Sequence, residues 1–164
     1  MGEPEVLRTA RLVLEPLGTR HESEHARASG NPADAARDTQ AAESHWHEHA
    51  FGPWAIRDAV DASFLGGAEV HYAGPGIEGI APDEVETGWW VTERRRGDGI
   101  AREAMSAALG DLWSRTSVGH VVAYISGENE PSRRLAAGLG YEVRGTGLGR
   151  SGEPMTVYEL RRPA

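Results

Sequence analysis

At 164 residues, 39% of them hydrophobic and 26% charged, the chain has the size and composition of one ordinary globular domain, expected to span 1–164. It contains no cysteine and no lysine, all 17 basic residues being arginine, which excludes disulfides, thiolate zinc sites, Schiff-base catalysis and the phosphate-binding lysine of a P-loop. The formal net charge of -8 argues against a nucleic-acid partner, and it suits cationic partners such as amines as well as it suits plain solubility.

No apolar run approaches the roughly 20 residues of a membrane span, so no membrane partner is expected. Met1-Gly-Glu-Pro-Glu5 lacks the basic start and apolar middle of a signal peptide, and the expected location is cytoplasmic. Arg11 to Leu17 has β character and ends at Pro16 and Gly18, which predicts the first strand. Thr19 to His49 is polar, alanine-rich and broken at Gly30-Asn-Pro32, as for two helices about a turn. Trp54 to Arg57, Phe64 to Tyr72 and Glu86 to Thr92 read as three strands, the last two joined by a Gly- and Pro-rich loop over Gly74 to Asp83.

Glu86-Thr-Gly-Trp-Trp-Val-Thr-Glu-Arg-Arg-Arg-Gly-Asp-Gly-Ile-Ala101 is a strand that breaks into a glycine-rich turn and opens a helix. Ala101, Met105, Ala108 and Leu112 recur at helical spacing over about Gly99 to Arg115. Arg94, Gly97 and Gly99 follow Arg-x-x-Gly-x-Gly, a spacing that leaves backbone N–H groups free at a helix start and suits a diphosphate. Val118 to Ile125 reads as a strand, and strand, helix, strand calls for a parallel pair. Pro131 suits the first turn of another helix ending near Gly138 and Gly140. Tyr141 to Arg144 and Met155 to Leu160 close the domain around a flexible loop from Gly145 to Pro154. The fold class is α/β.

Four stretches in this order carry a resemblance: Leu7-Arg-Thr-Ala-Arg-Leu-Val-Leu14, Glu86-Thr-Gly-Trp-Trp-Val91, Arg94-x-x-Gly97-x-Gly99-Ile-Ala101, and Asn129-Glu-Pro-Ser132 with Leu139-Gly-Tyr141. The chain resembles the GNAT superfamily of acyl-CoA-dependent N-acetyltransferases, in particular its RimJ/RimL-like branch. The resemblance implies a single-domain mixed, mostly antiparallel sheet with a central parallel pair flanked by helices. It also implies acetyl transfer from acetyl-CoA to a primary amine, either a protein N-terminus or a small amine, and leaves a homodimer open.

By that resemblance, Arg94, Arg95, Arg96, Gly97, Asp98, Gly99, Ile100 and Ala101 hold the pyrophosphate of acetyl-CoA, where free N–H groups and the positive end of the helix dipole both favour an anion. Any single arginine there could instead belong to a solvated basic turn, but not the three together with the glycines. Trp90 and Val91 are implied to pair with the pantetheine arm through their backbone, and tryptophans at consecutive strand positions point to opposite faces. Asn129 and Ser132 are implied to serve the arm and the departing thiolate, while Asn129 is also a candidate helix N-cap. A tyrosine that many family members use as general acid falls at Ala136, so that route is closed. Glu86 is implied as the base for the attacking amine, with a solvent-facing or salt-bridged strand glutamate as the alternative. Near two tryptophans, its pKa is expected to be raised. Glu69, His71 and His120 are weaker candidates. His45-Trp-His-Glu-His49 places two histidines at i, i+4, without a third ligand at motif spacing, so no metal is expected. A noncatalytic acyl-CoA-binding module is the alternative function.

Overall fold

The computed structural model describes residues 5–164; the leader-free reading of the first four residues lies outside them. Two compact units divide the chain. One runs to His71 and resumes over Trp89–Thr116, and the other comprises Tyr72–Gly88 and Ser117–Ala164.

The first unit holds β1 (Leu7–Arg8), β2 (Leu12–Pro16), α1 (Glu22–Ser29), α2 (Pro32–Glu48), β3 (Trp54–Asp58), most of β4 (Phe64–Tyr72), the end of β5 (Val85–Val91) and α3 (Ile100–Arg115). β1 to β4 pair antiparallel in chain order, Leu7 opposite Leu14, Leu14 opposite Ile56, and Ile56 opposite Gly66. β1 escapes a reading by pattern because two residues show no alternation; pairing across the turn closed by Thr9 N–H to Leu12 O defines it. Leu12, Leu14, Trp54 and Ile56 are turned fully inward. The two expected helices form: Gly30 ends α1 in a left-handed conformation, and Asn31 caps α2 by accepting from Asp34 N–H ahead of Pro32. Leu17, Ala42, Ala55 and Phe64 form a core cluster with Ala28 and Trp90 against it. Gly66 lets two backbones meet, since a Cβ there would fall 2.1 Å from Trp90 O. The buried stripe of α3 is wider than the predicted one, adding Ile100, Ala104 and Leu109, while Ala101 is only half-buried.

The second unit holds the start of β5, β6 (His120–Ser126), α4 (Glu130–Leu139), β7 (Glu142–Leu148) and β8 (Pro154–Arg161). β5 and β6 pair parallel, Val85 opposite Val121, the arrangement a helical crossover requires. β8 pairs antiparallel with both β6 and β7. Ala73, Ile77, Ile80, Val122 and Val157 form this unit's core cluster. The flexible loop expected over Gly145 to Pro154 is shorter, because β7 continues to Leu148. Its glycine at 147 serves close approach instead of flexibility: a Cβ there would sit 2.1 Å from Glu78 O, and Glu78 N–H donates to Leu148 O. Among the described residues, no helix is long and apolar enough to cross a membrane.

Candidate active site

In the first unit, β5 ends at Val91 and the chain turns through a 3₁₀ segment, Glu93–Arg95, before two left-handed glycines, Gly97 with φ 85° and Gly99 with φ 78°. α3 then begins at Ile100 with no side chain capping it. Its opening N–H groups stand at the positive end of a 16-residue helix. The face above them is open. Among the described residues, and chain neighbours aside, a Cβ built on Gly97 meets no atom within 4 Å, and one on Gly99 meets only Arg11 Nη2 at 3.5 Å.

The three consecutive arginines have different positions. Arg95 donates to Asp58 at 3.0 Å and to Asp98 at 3.1 Å, so both it and Asp98 hold the turn in shape. Arg96 Nε donates to Val91 O at 3.1 Å, folding the side chain back on the strand end. Arg94 is exposed and lines a cavity of ≈ 740 Å³ with Arg27, Phe64, Thr92 and Glu93. A fourth arginine was not foreseen. Arg11 donates through Nη1 to Asp98 O at 2.8 Å and through Nε to Glu103 at 2.9 Å, and Thr9 donates to the same carboxylate at 2.6 Å. The β1–β2 corner thus clamps the turn and the first turn of α3. Arg11 belongs to the opening stretch that carries the resemblance, but nothing in the local pattern assigns it a task 87 residues away.

Trp89 and Trp90 are both half-buried. Trp90 packs on Phe64 and takes the edge of His25, whose ring lies 5.0 Å away at 62°. His25 is buried, with neither ring nitrogen hydrogen-bonded among the described residues, and burial pushes its imidazole down toward the neutral form. The His45 to His49 segment ends α2 with His45 Nδ1 on Phe51 O at 2.8 Å and the two imidazoles 4.5 Å apart. Burial lowers His45 to about 4, so its ring packs in the neutral form, with His71 6.3 Å away.

In the second unit, Glu86 is buried at 8% exposure. Arg150, from the β7–β8 loop, sets Nη2 3.4 Å from Glu86 Oε2 and 2.6 Å from Ala73 O, and its Nη1 donates to Tyr124 Oη at 2.8 Å. Burial and the neighbouring Glu86 charge raise Tyr124 above the ordinary phenol range, so its hydroxyl stays neutral. Glu86 thus has an ion-pair partner in Arg150, an arginine that the sequence left unassigned. Next to Glu86, the Thr87 hydroxyl donates to Val122 O at 2.9 Å and is also bonded to Tyr141 Oη at 2.7 Å, fixing the strand.

Asn129 caps α4: its side chain accepts from Ser132 N–H at 3.3 Å. The Ser132 side chain is half-buried one turn into the helix, and Ala136 is fully buried in the core. His120 is bonded to Glu84 at 2.7 Å. Among the described residues, Glu84, His120 and Glu159 bring their potential ligand atoms within 4.8 Å of one another. Arg144 already supplies the cation there, 2.5 Å from Glu84 and 3.3 Å from Glu159, and its hydrogen bonds hold Glu84 at about 2.

Residues 7–142 match the model of the acetyltransferase (GNAT) domain family, and the chain belongs to that family. A Bordetella pertussis protein described as a GNAT-family acetyltransferase shares 27% identity and superposes with a TM-score of 0.83 over 95% of this chain and 99% of that one. The same fold occurs in a Vibrio cholerae protein described as a ribosomal-protein-serine acetyltransferase (16% identity, TM-score 0.77, 99% and 100% coverage). It recurs in RimJ of Mycobacterium smegmatis, solved with CoA-disulfide (19% identity, TM-score 0.68, 92% and 81% coverage).

Proposed function

We propose that the protein is a single acetyltransferase domain of the RimJ/RimL-like branch that moves an acetyl group from acetyl-CoA to a primary amine by direct attack on the thioester. The observation that carries this reading is the start of α3 behind two left-handed glycines, where among the described residues a Cβ built on Gly97 meets nothing within 4 Å beyond its chain neighbours. Such a terminus favours a pyrophosphate through N–H donors and the helix dipole together. Arg94 adds a charge at the rim, and Arg11 and Arg95 engage the carbonyl and the side chain of Asp98.

In this reading, the backbone of Trp90 and Val91 pairs with the pantetheine arm. Glu86 takes one proton from the ammonium so that the nitrogen lone pair can attack the carbonyl carbon. The C–S bond then breaks, and the thiolate, met by the Ser132 hydroxyl, leaves as CoA with the second proton. Asn129, its carbonyl used as a cap, serves by fixing the start of α4 and hence Ser132. The cytoplasm, where acetyl-CoA is made, is the proposed location.

Thiol release from acetyl-CoA in the presence of a panel of amines and peptides tests the assignment. Turnover that requires an amine supports it. CoA binding without turnover on any amine favours the noncatalytic module, toward which the buried Ala136, standing where a tyrosine acid is common, points.

A further inference from the structure

We infer that the acceptor is a small zwitterion carrying its amine and a carboxylate on the same carbon, an α-amino acid or close analogue, and that Arg150 selects it. This rests on the acetyltransferase reading and names the substrate class of that site.

The argument starts from charge balance around Glu86. Its side chain is 11% exposed, while that of Arg150 is 44% exposed, so the pair presents a recessed anion beside an accessible cation. Arg150 is held independently of that anion. Its short hydrogen bonds go to Ala73 O at 2.6 Å and Tyr124 Oη at 2.8 Å, whereas the contact with Glu86 is a loose 3.4 Å. The guanidinium also lies against the Tyr124 ring, 5.9 Å from its centroid. Taking Glu86 away from Arg150 therefore leaves the arginine in place with a charge to satisfy.

An incoming ammonium that engages Glu86 does this. If the acceptor carries no anion, it sets a second cation beside an anchored guanidinium, a like-charge contact in a partly buried setting. If it carries a carboxylate one carbon away, the pairing exchanges: ammonium to Glu86, carboxylate to the remaining guanidinium donors, with no net charge left over. A carboxylate one carbon from the amine matches neighbours as close as Glu86 and Arg150. The backbone of a peptide N-terminus offers a neutral amide at that position and forfeits the exchange.

The test compares free L-amino acids with their carboxamides, which keep the amine and side chain and lose only the charge, together with short peptides and acetyl-CoA. The expected result is a kcat/KM at least tenfold higher for the free acid than for its amide, the order of one charge-assisted hydrogen bond. Arg150→Gln should bring that ratio close to one, chiefly through KM of the acid, and Arg150→Lys should restore part of it. Melting curves of both variants establish that the fold is intact. Amides or peptides used as well as free amino acids by the wild type, or a ratio unchanged in Arg150→Gln, would overturn the inference while leaving amine acetylation standing. No transfer to any amine would remove both.

Discussion

Replacing Gly97 separates what the turn needs for folding from what it needs for its ligand. At φ 85° an L side chain pays for left-handed backbone, about 1–2 kcal/mol, less the ~0.5–1 kcal/mol regained by restricting the unfolded chain. No atom lies within 4 Å of the new Cβ, so no packing cost adds to it. Gly97→Ala should lose about 1 kcal/mol of stability, a fall in Tm of about 2–4 °C in a chain of this length. The same methyl occupies the space through which a diphosphate reaches the N–H groups. Loss of one charge-assisted bond, about 1.5–3 kcal/mol, weakens CoA about 10- to 150-fold. Gly97→Asn divides these effects, because asparagine tolerates the left-handed region yet still projects a side chain. It should recover most of the stability and none of the affinity. Calorimetric titration with CoA and thermal melts on the three proteins provide the measurements. Affinity within twofold of wild type in both variants would refute anion binding at this turn, and recovery by asparagine would show that backbone shape alone matters.

Glu86→Gln should lower kcat about 10²-fold or more at neutral pH, with the deficit shrinking as pH rises and the amine arrives neutral, while CoA affinity holds; equal rates across pH would exclude it as base. Ser132→Ala should reduce kcat more than it raises KM, by about one hydrogen bond, and an unchanged kcat would remove the thiolate role. Glu84 is held at about 2 against its ordinary 4.5, chiefly by hydrogen bonds from Arg144, so its stabilisation is present above pH 4.5 and fades as pH falls toward 2. Discounted for partial exposure, Glu84→Gln should cost ~1–2 kcal/mol at pH 7 and far less at pH 3 in denaturant melts. A pH-independent difference would contradict the ion pair as its source.

Periodicity and turn chemistry made the long elements legible: α3 by its stripe, α2 by Asn31-Pro32, and β4 and β5 by their apolar runs. The glycine turn was legible for the same reason, since Gly97 and Gly99 suit the left-handed backbone it needs. The division of labour among the arginines was not. Arg94, Arg95 and Arg96 are identical as letters, and only Asp58, brought alongside by the β3–β4 hairpin, makes Arg95 a strut. Arg150 lay hidden in a stretch whose glycines suggested mobility, and its partner Glu86 stands 64 residues earlier. Such pairings are set by strand register, which no local pattern encodes.

The Arg11 clamp ties the β1–β2 corner to the proposed anion site. Thr9 and Arg11 are bound to Asp98 and Glu103, so any ligand that stiffens the turn also stiffens the β1–β2 corner, and reciprocally any loosening of that corner is felt as weaker ligand affinity. Amide exchange at Leu12, whose N–H bonds to Thr9 Oγ1, therefore becomes a remote gauge of occupancy at Gly97 to Ala101. An alteration of the N-terminal strand pair then acts as a modulator of cofactor retention, through residues that never touch the cofactor.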